Sequence, residues 1–202
     1  MPVLPEDEIV SLLKPYLDPL PDRLPPLLSN YLDLLVRWNA RTNLTAIRSP
    51  EEMVRRHFGE SIFAADRLRD SIPPNLLDLG SGAGFPGVPI ALLYPEIAVT
   101  LAESQNKKAS FLREVCRTLT LPNVEVWGGR AEDLPAARLF DTVTLRAVDD
   151  MQTALTAAAS RASRQIWVLT TKVPDLPAPF TLAEKVEIPG SERGCLLRAI
   201  RT

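Results

Sequence analysis

Four glycines within eight residues stand at the centre of the chain, in Leu76-Leu77-Asp78-Leu79-Gly80-Ser81-Gly82-Ala83-Gly84-Phe85-Pro86-Gly87. An apolar run from Asn75 to Leu79 reads as a short buried strand, and Val88, Ile90, Ala91 and Leu92 open a helix pattern behind the glycines. Strand, glycine loop and helix N-terminus in that order make a ligand cradle. Glycine accepts positive φ and lets a ligand approach where a Cβ would stand in the way. The helix behind it offers unpaired N–H groups and the positive end of its dipole. Gly82-Ala83-Gly84-Phe85-Pro86-Gly87 satisfies G-x-G-x-x-G, and Glu103 follows 19 residues after Gly84, a spacing that suits an acid binding ribose hydroxyls. Other polar residues close the neighbouring strand patterns: Ser104, then Arg130-Ala131-Glu132, then Arg146, then Lys172. In an open α/β sheet such strand ends share one edge, which is where ligands bind.

The elements that must position these residues fall into two blocks. Residues 1 to about 70 read as a helical extension. One apolar face carries Ile9, Leu12, Leu13, Tyr16 and Leu17, and a second runs from Leu27 to Trp38. Asn39 to Ile47 breaks the period and reads as a loop. Ser49-Pro50-Glu51-Glu52 then predicts a third helix, with Ser49 as N-cap and Pro50 at the first helical position.

Residues 75–202 read as an α/β core. Strand patterns at Leu76–Leu79, Ala98–Ala102, Val124–Trp127, Thr142–Leu145 and Ile166–Thr170 alternate with helix patterns near 87–94, 106–119, 131–134 and 150–162. Alternation of this kind predicts a doubly wound, mostly parallel sheet. Lys185–Ile188 and Cys195–Ile200, joined by a turn at Gly190–Gly194, predict an antiparallel hairpin at its edge. The expectation is one domain over 1–202.

Composition sets outer limits. The 202 residues are 46% hydrophobic and 24% charged with a net charge of −2, which is ordinary for a globular chain and gives no overall basic field. Arg37, Arg41, Arg48, Arg55 and Arg56 could still form a basic face among the N-terminal helices, or simply a solvated surface. The two cysteines, Cys116 and Cys195, lack metal-ligand spacing and read as free thiols; a cytoplasmic location is the default expectation. No signal peptide, membrane span or metal motif is read, and no long apolar helix stripe asks for a partner, so a monomer is expected.

G-x-G-x-x-G by itself admits a nicotinamide dinucleotide and an oxidoreductase. Asp78 and Gly80 extend it backwards to D-x-G-x-G-x-G, which resembles the loop of class I, Rossmann-like methyltransferases, as does the terminal hairpin; S-adenosyl-L-methionine is then the implied cofactor. The stretch DLGSGAGFPGVPIA is similar to the signature of the glucose-inhibited division protein B family (GidB, also RsmG). Trp38-Asn39, Asn43 to Ile47, His57 with Glu60-Ser61, Glu103-Ser104 with Lys107-Lys108, Arg130-Ala131-Glu132 and Arg146-Ala147-Val148 follow the family's order.

That resemblance implies an S-adenosylmethionine-dependent enzyme acting on guanine N7 in 16S ribosomal RNA, within the small ribosomal subunit. It implies that Asp78, Gly80, Gly82, Gly84 and Phe85 form the cofactor loop. It further implies that Glu103 with Ser104 takes the ribose, that Ala131 and Glu132 flank the adenine, and that Arg146 sits near the methionine end as the catalytic residue. Asn43, His57 and Lys172 would face RNA. The chain departs from the family pattern with Leu145 for a serine, Glu60 for an aspartate, and no glycine pair before the fifth strand.

The residues suit that chemistry. Guanine N7 holds an in-plane lone pair, so methyl transfer needs alignment more than a general base. No cysteine is placed to attack a pyrimidine, and there is no Asp/Asn-Pro-Pro-Tyr/Phe motif for exocyclic amines. The competing readings are a class I methyltransferase acting on another RNA or a small molecule, and a non-catalytic RNA-binding protein of the same fold.

Overall fold

The computed structural model describes residues 2–202. Seven strands form one sheet in the order β3-β2-β1-β4-β5-β7-β6. They are β1 (Asn75–Leu79), β2 (Ala98–Ala102), β3 (Val124–Trp127), β4 (Phe140–Arg146), β5 (Ala162–Thr170), β6 (Phe180–Glu187) and β7 (Cys195–Arg201). The first five are parallel, and β7 runs antiparallel between β5 and β6. The chain order reverses direction between β1 and β4, and the register aligns their carboxyl ends: Leu79 lies beside Ala102 on one side and Leu145 on the other. The loops after β1, β2 and β4 therefore open on one edge.

Helices cover both faces. One core gathers the N-terminal helices, Leu76, Val99 and Leu101 of the sheet, and the buried sides of α5 (Gly87–Leu93) and α6 (Asn106–Thr118). The other packs α7 (Met151–Arg161) on Leu77, Val143, Ile166 and Val168. Leu76 and Leu77 enter opposite cores because successive strand side chains alternate. α7 ends at Arg161 and β5 starts at Ala162 without a connecting loop, so no glycine pair is needed there. The hairpin is longer than the sequence pattern predicts: β6 begins at Phe180, not Lys185.

The N-terminal block contains α1 (Glu6–Leu13), α2 (Leu24–Thr42), α3 (Pro50–Met53) and α4 (Glu60–Asp66). Glu6, Asp7 and Glu8 occupy the first turn of α1, where the helix dipole favours anions. Ser49 Oγ caps α3 by accepting from the Glu52 N–H at 3.2 Å, as S-P-E-E predicts. Two features differ from the sequence reading. α2 continues through Asn39 to Thr42 and ends at Asn43 in the left-handed conformation, φ 49°. Asn39 is not a helix stop; its buried amide accepts from the Thr45 N–H at 2.9 Å and donates to the Ile47 carbonyl at 3.3 Å, fastening the returning loop. The third helix is interrupted by a π-helical turn, Val54–Gly59. Turns of that kind occur often at functional sites.

Candidate active site at the carboxyl edge of the sheet

The glycine loop is shaped from below and behind. Gly80, Gly82 and Gly84 all have positive φ, at 70°, 58° and 91°. Under Gly84 lies Tyr31 of α2, whose hydroxyl donates to the Ala83 carbonyl and whose ring stacks on Phe85 at 5.2 Å. A Cβ on Gly84 would meet the Tyr31 oxygen at 2.5 Å. The helical extension therefore holds the loop's shape directly.

Asp78 closes the loop from the strand side. Its carboxylate accepts from the Gly87 N–H at 3.1 Å and from Thr144 Oγ1 at 2.8 Å, tying β1 to the start of α5 and to β4. Burial pushes its pKa up to about 6, opposed by those hydrogen bonds. A Cβ on Gly87 would strike that same carboxylate.

Glu103 sits at the end of β2 with its carboxylate against the loop. It accepts from the Gly82 N–H at 2.9 Å and from the Gln105 N–H at 2.7 Å. Each oxygen keeps a second lone pair, so the acid can still accept from a vicinal diol while its orientation is already fixed.

Arg146 ends β4 opposite this loop, and the next residue, Ala147, has φ 50°. Positive φ at a residue with a Cβ is strained backbone, held only by its surroundings. The Arg146 side chain, 11% exposed, donates to Glu60 Oε2 at 2.9 Å, to the Arg56 carbonyl at 2.9 Å and to His57 Nδ1 at 3.0 Å. All three acceptors lie on the π turn or the residue after it. The His57 ring stacks on Phe85 at 5.0 Å and reaches Thr45 Oγ1 with Nε2 at 2.8 Å. Burial, then the Arg146 and Arg56 charges, push the histidine pKa down to about 3.

Together these residues enclose a cleft of about 390 Å³, lined by Gly80 to Ala83, Phe85, Glu103, Lys108, His57 and Arg146 to Asp149. A loop of backbone donors, a pre-oriented acid and one guanidinium suit a nucleoside carrying a charged tail. Among the described residues no group of His, Cys, Asp and Glu could hold a metal ion.

The GidB family model, described as rRNA small subunit methyltransferase G, matches residues 25–173. The chain belongs to this family. A ribosomal RNA small subunit methyltransferase G from Stutzerimonas stutzeri strain A1501 is 46% identical over 138 residues, 66% of this chain and 62% of the relative. The chain thus spans less than two thirds of that relative's length. The protein of the same name from Xanthomonas euvesicatoria pv. vesicatoria strain 85-10 is 39% identical over 176 residues, 83% of this chain and 81% of the relative. Magnesium protoporphyrin IX methyltransferase of Synechocystis PCC 6803, solved with bound SAM, superposes with a TM-score of 0.62 at 16% identity, covering 85% of this chain and 97% of that one. That likeness confirms the class I methyltransferase fold.

Of the residues that the GidB resemblance singled out, the structure brings Gly80, Gly82, Phe85, Glu103, His57 and Arg146 into one cleft. Asp78 and Gly84 lie beneath the loop and shape it without lining the cleft. Ser104 is exposed and does not line the cleft. Ala131 is packed in the α7 core and the Glu132 carbonyl accepts from Arg161; neither residue is among those that line the cleft. Asn43 is exposed and accepts from Arg48 at 2.9 Å, and Lys172 is exposed after β5.

Sequence reasoning did not find Tyr31, Thr45 or Glu60 as site residues. The departures from the GidB pattern are accommodated: Leu145 is buried beside Leu79, and Glu60 reaches both Arg56 and Arg146. Of the basic residues in the N-terminal block, Arg37 pairs with Glu114 and Arg56 with Glu60.

Proposed function

We propose that this chain transfers the methyl group of S-adenosyl-L-methionine to N7 of a guanine in 16S ribosomal RNA, acting on the small ribosomal subunit. The observation that carries the reading is Arg146. It stands at the end of β4, across the cleft from a loop and acid suited to an adenosyl cofactor. Family membership supplies the substrate class.

The residues present fit that cofactor. Glu103 is held by two backbone N–H groups with lone pairs to spare for ribose hydroxyls, and a Cβ at Gly82 would meet nothing nearer than 3.8 Å, so the loop leaves open space. Bound there, S-adenosylmethionine supplies an electrophilic methyl group on a sulfonium. The chain's own part is alignment. Glu103 and the glycine loop fix the donor end. Arg146, immobilised by three acceptors, offers its remaining N–H capacity to the nucleotide. Guanine N7 would take the methyl group with its own in-plane lone pair, so no residue of the chain would have to remove a proton. His57 fits this economy: both ring nitrogens are engaged, and it is neutral at physiological pH.

The test is calorimetric titration with S-adenosylmethionine and with NAD, followed by label transfer to small subunits lacking the modification. Binding of the former alone, with RNA-dependent transfer, supports the proposal. Preference for NAD, or transfer only to small molecules, would replace it.

A further inference from the structure

A second cavity, of about 300 Å³, lies beside the cleft and shares with it only Arg146, Ala147 and Val148. Apolar Val148, Met151, Leu169 and Ile188 share its lining with Thr170 and Thr171, and the hairpin turn borders it at Ser191 and Gly194. Glu60, 6% exposed, lines it as well and accepts from Arg56 Nε at 2.7 Å and from Arg146 at 2.9 Å. Each Glu60 oxygen keeps a lone pair beyond those bonds. A cavity that combines apolar side chains with fixed, hydrogen-bonded polar groups can bury a ring and fix its orientation.

The order of groups along this edge is informative. Glu60 comes first, then Arg146, then the cleft. The edge of guanine carries its groups in the same order: two donors (the 2-amino group and N1–H), then the O6 acceptor, then N7. We propose that the second cavity receives the target guanine, with Glu60 accepting from N1–H and the 2-amino group, Arg146 donating to O6, and N7 turned into the cleft. This inference rests on the guanine-N7 reading above and adds a base-binding site and a specificity residue to it. Adenine would set its 6-amino donor against the Arg146 donors and its N1 lone pair against the Glu60 carboxylate. A site built around donors and acceptors rejects a base that leaves them unpaired. The β6–β7 hairpin then has a function, because its turn is one wall of the slot.

Met151→Trp fills the slot from the start of α7 without touching the cleft. The expected result is S-adenosylmethionine affinity within about threefold of wild type and methyl transfer to small subunits lowered at least about a hundredfold. If Met151→Trp also loses cofactor binding, Ser191→Trp, from the half-buried turn that borders the slot, decides in the same way. Base identity is read separately, with an RNA substrate whose target guanine is replaced by inosine, which lacks the 2-amino group. Wild type should lose about tenfold or more in rate on inosine, a hydrogen bond to a charged acceptor being at stake. In Glu60→Gln that ratio should shrink several-fold, whereas a merely structural role for Glu60 would leave it unchanged. Full transfer by both tryptophan variants, or an inosine ratio unaffected by Glu60→Gln, overturns the proposal. A wild-type protein that binds cofactor but labels no guanine overturns the function on which it rests.

Discussion

The Arg146 guanidinium donates to His57 Nδ1 across 3.0 Å. Guanidinium has no lone pair to offer, so Nδ1 must be the acceptor and the imidazole must be neutral, with its proton on Nε2 facing Thr45 Oγ1. The only histidine in the chain is thereby committed to holding a positioned arginine against the loop that follows α2. It is a structural link between the helical extension and the sheet edge, and no acid–base step is needed from it.

Arg146→Lys tests whether that immobilised fork matters. Lysine keeps the charge but cannot reach Glu60, the Arg56 carbonyl and His57 together. Turnover should fall by about a hundredfold, the scale of losing one aligned donor in the transition state, while S-adenosylmethionine affinity changes little. Rapid-quench transfer beside calorimetry separates the two, and equal losses in both would remove Arg146 from the reacting centre.

His57 and Asp78, two buried groups whose shifts fall in the acid range, act on stability with opposite signs. His57 falls from 6.5 to about 3 on folding, so its contribution is complete above pH 6.5 and is lost as pH drops toward 3. Asp78 rises from 3.8 to about 6, so folding takes up a proton there and stability declines as pH rises across that window. Between pH 4 and 6 the two largely offset each other. Asp78→Asn should expose the histidine alone: the unfolding free energy from urea melts should fall on acidification from pH 6.5 with a slope approaching about 1.4 kcal/mol per pH unit. A variant whose stability stays level on acidification from pH 6.5 would contradict the lowered His57 pKa, and a variant curve parallel to wild type would contradict the raised Asp78 pKa.

Tyr31 and Gly84 should be coupled. Tyr31→Phe leaves the Ala83 carbonyl without its buried donor, at about 1–3 kcal/mol. Gly84→Ala adds a Cβ at φ 91°, 2.5 Å from the Tyr31 oxygen, and should cost more. Part of that cost should disappear in the double variant, because the hydroxyl is gone, whereas Val88 still crowds the site at 2.8 Å. Strict additivity in denaturant melts would place the tyrosine hydroxyl elsewhere.

Glu103→Gln should weaken cofactor binding about tenfold or more without unfolding the protein. A glutamine can accept from only one of the Gly82 and Gln105 N–H groups, and its own amide donors then confront the other. Unchanged affinity by calorimetry would show that the acid serves the loop and not the ligand.

Much of this was legible in the residues. Strand and helix periods located β1 to β3 and α5 to α7 closely because each element buries one continuous face, and S-P-E-E marked the start of α3. Asn39 misled because polarity at a buried position looks like a helix end until its partners in the 45–47 loop are seen. The π turn has no residue signature. Its effect is spatial: it sets the Arg56 carbonyl, His57 and Glu60 around a side chain almost ninety residues later. Tyr31 read as core, which it is, and only the fold shows that its hydroxyl supports the glycine loop. Asp78 and Gly84 were legible as motif, but not that they work from beneath it.

The most direct test of the whole account is nucleoside analysis of small-subunit RNA after incubation with the protein and labelled S-adenosylmethionine, starting from subunits that lack the modification. The account predicts label in 7-methylguanosine alone, mapped to one guanine and abolished by Arg146→Ala. Label in any other nucleoside, or none despite cofactor binding, would contradict it.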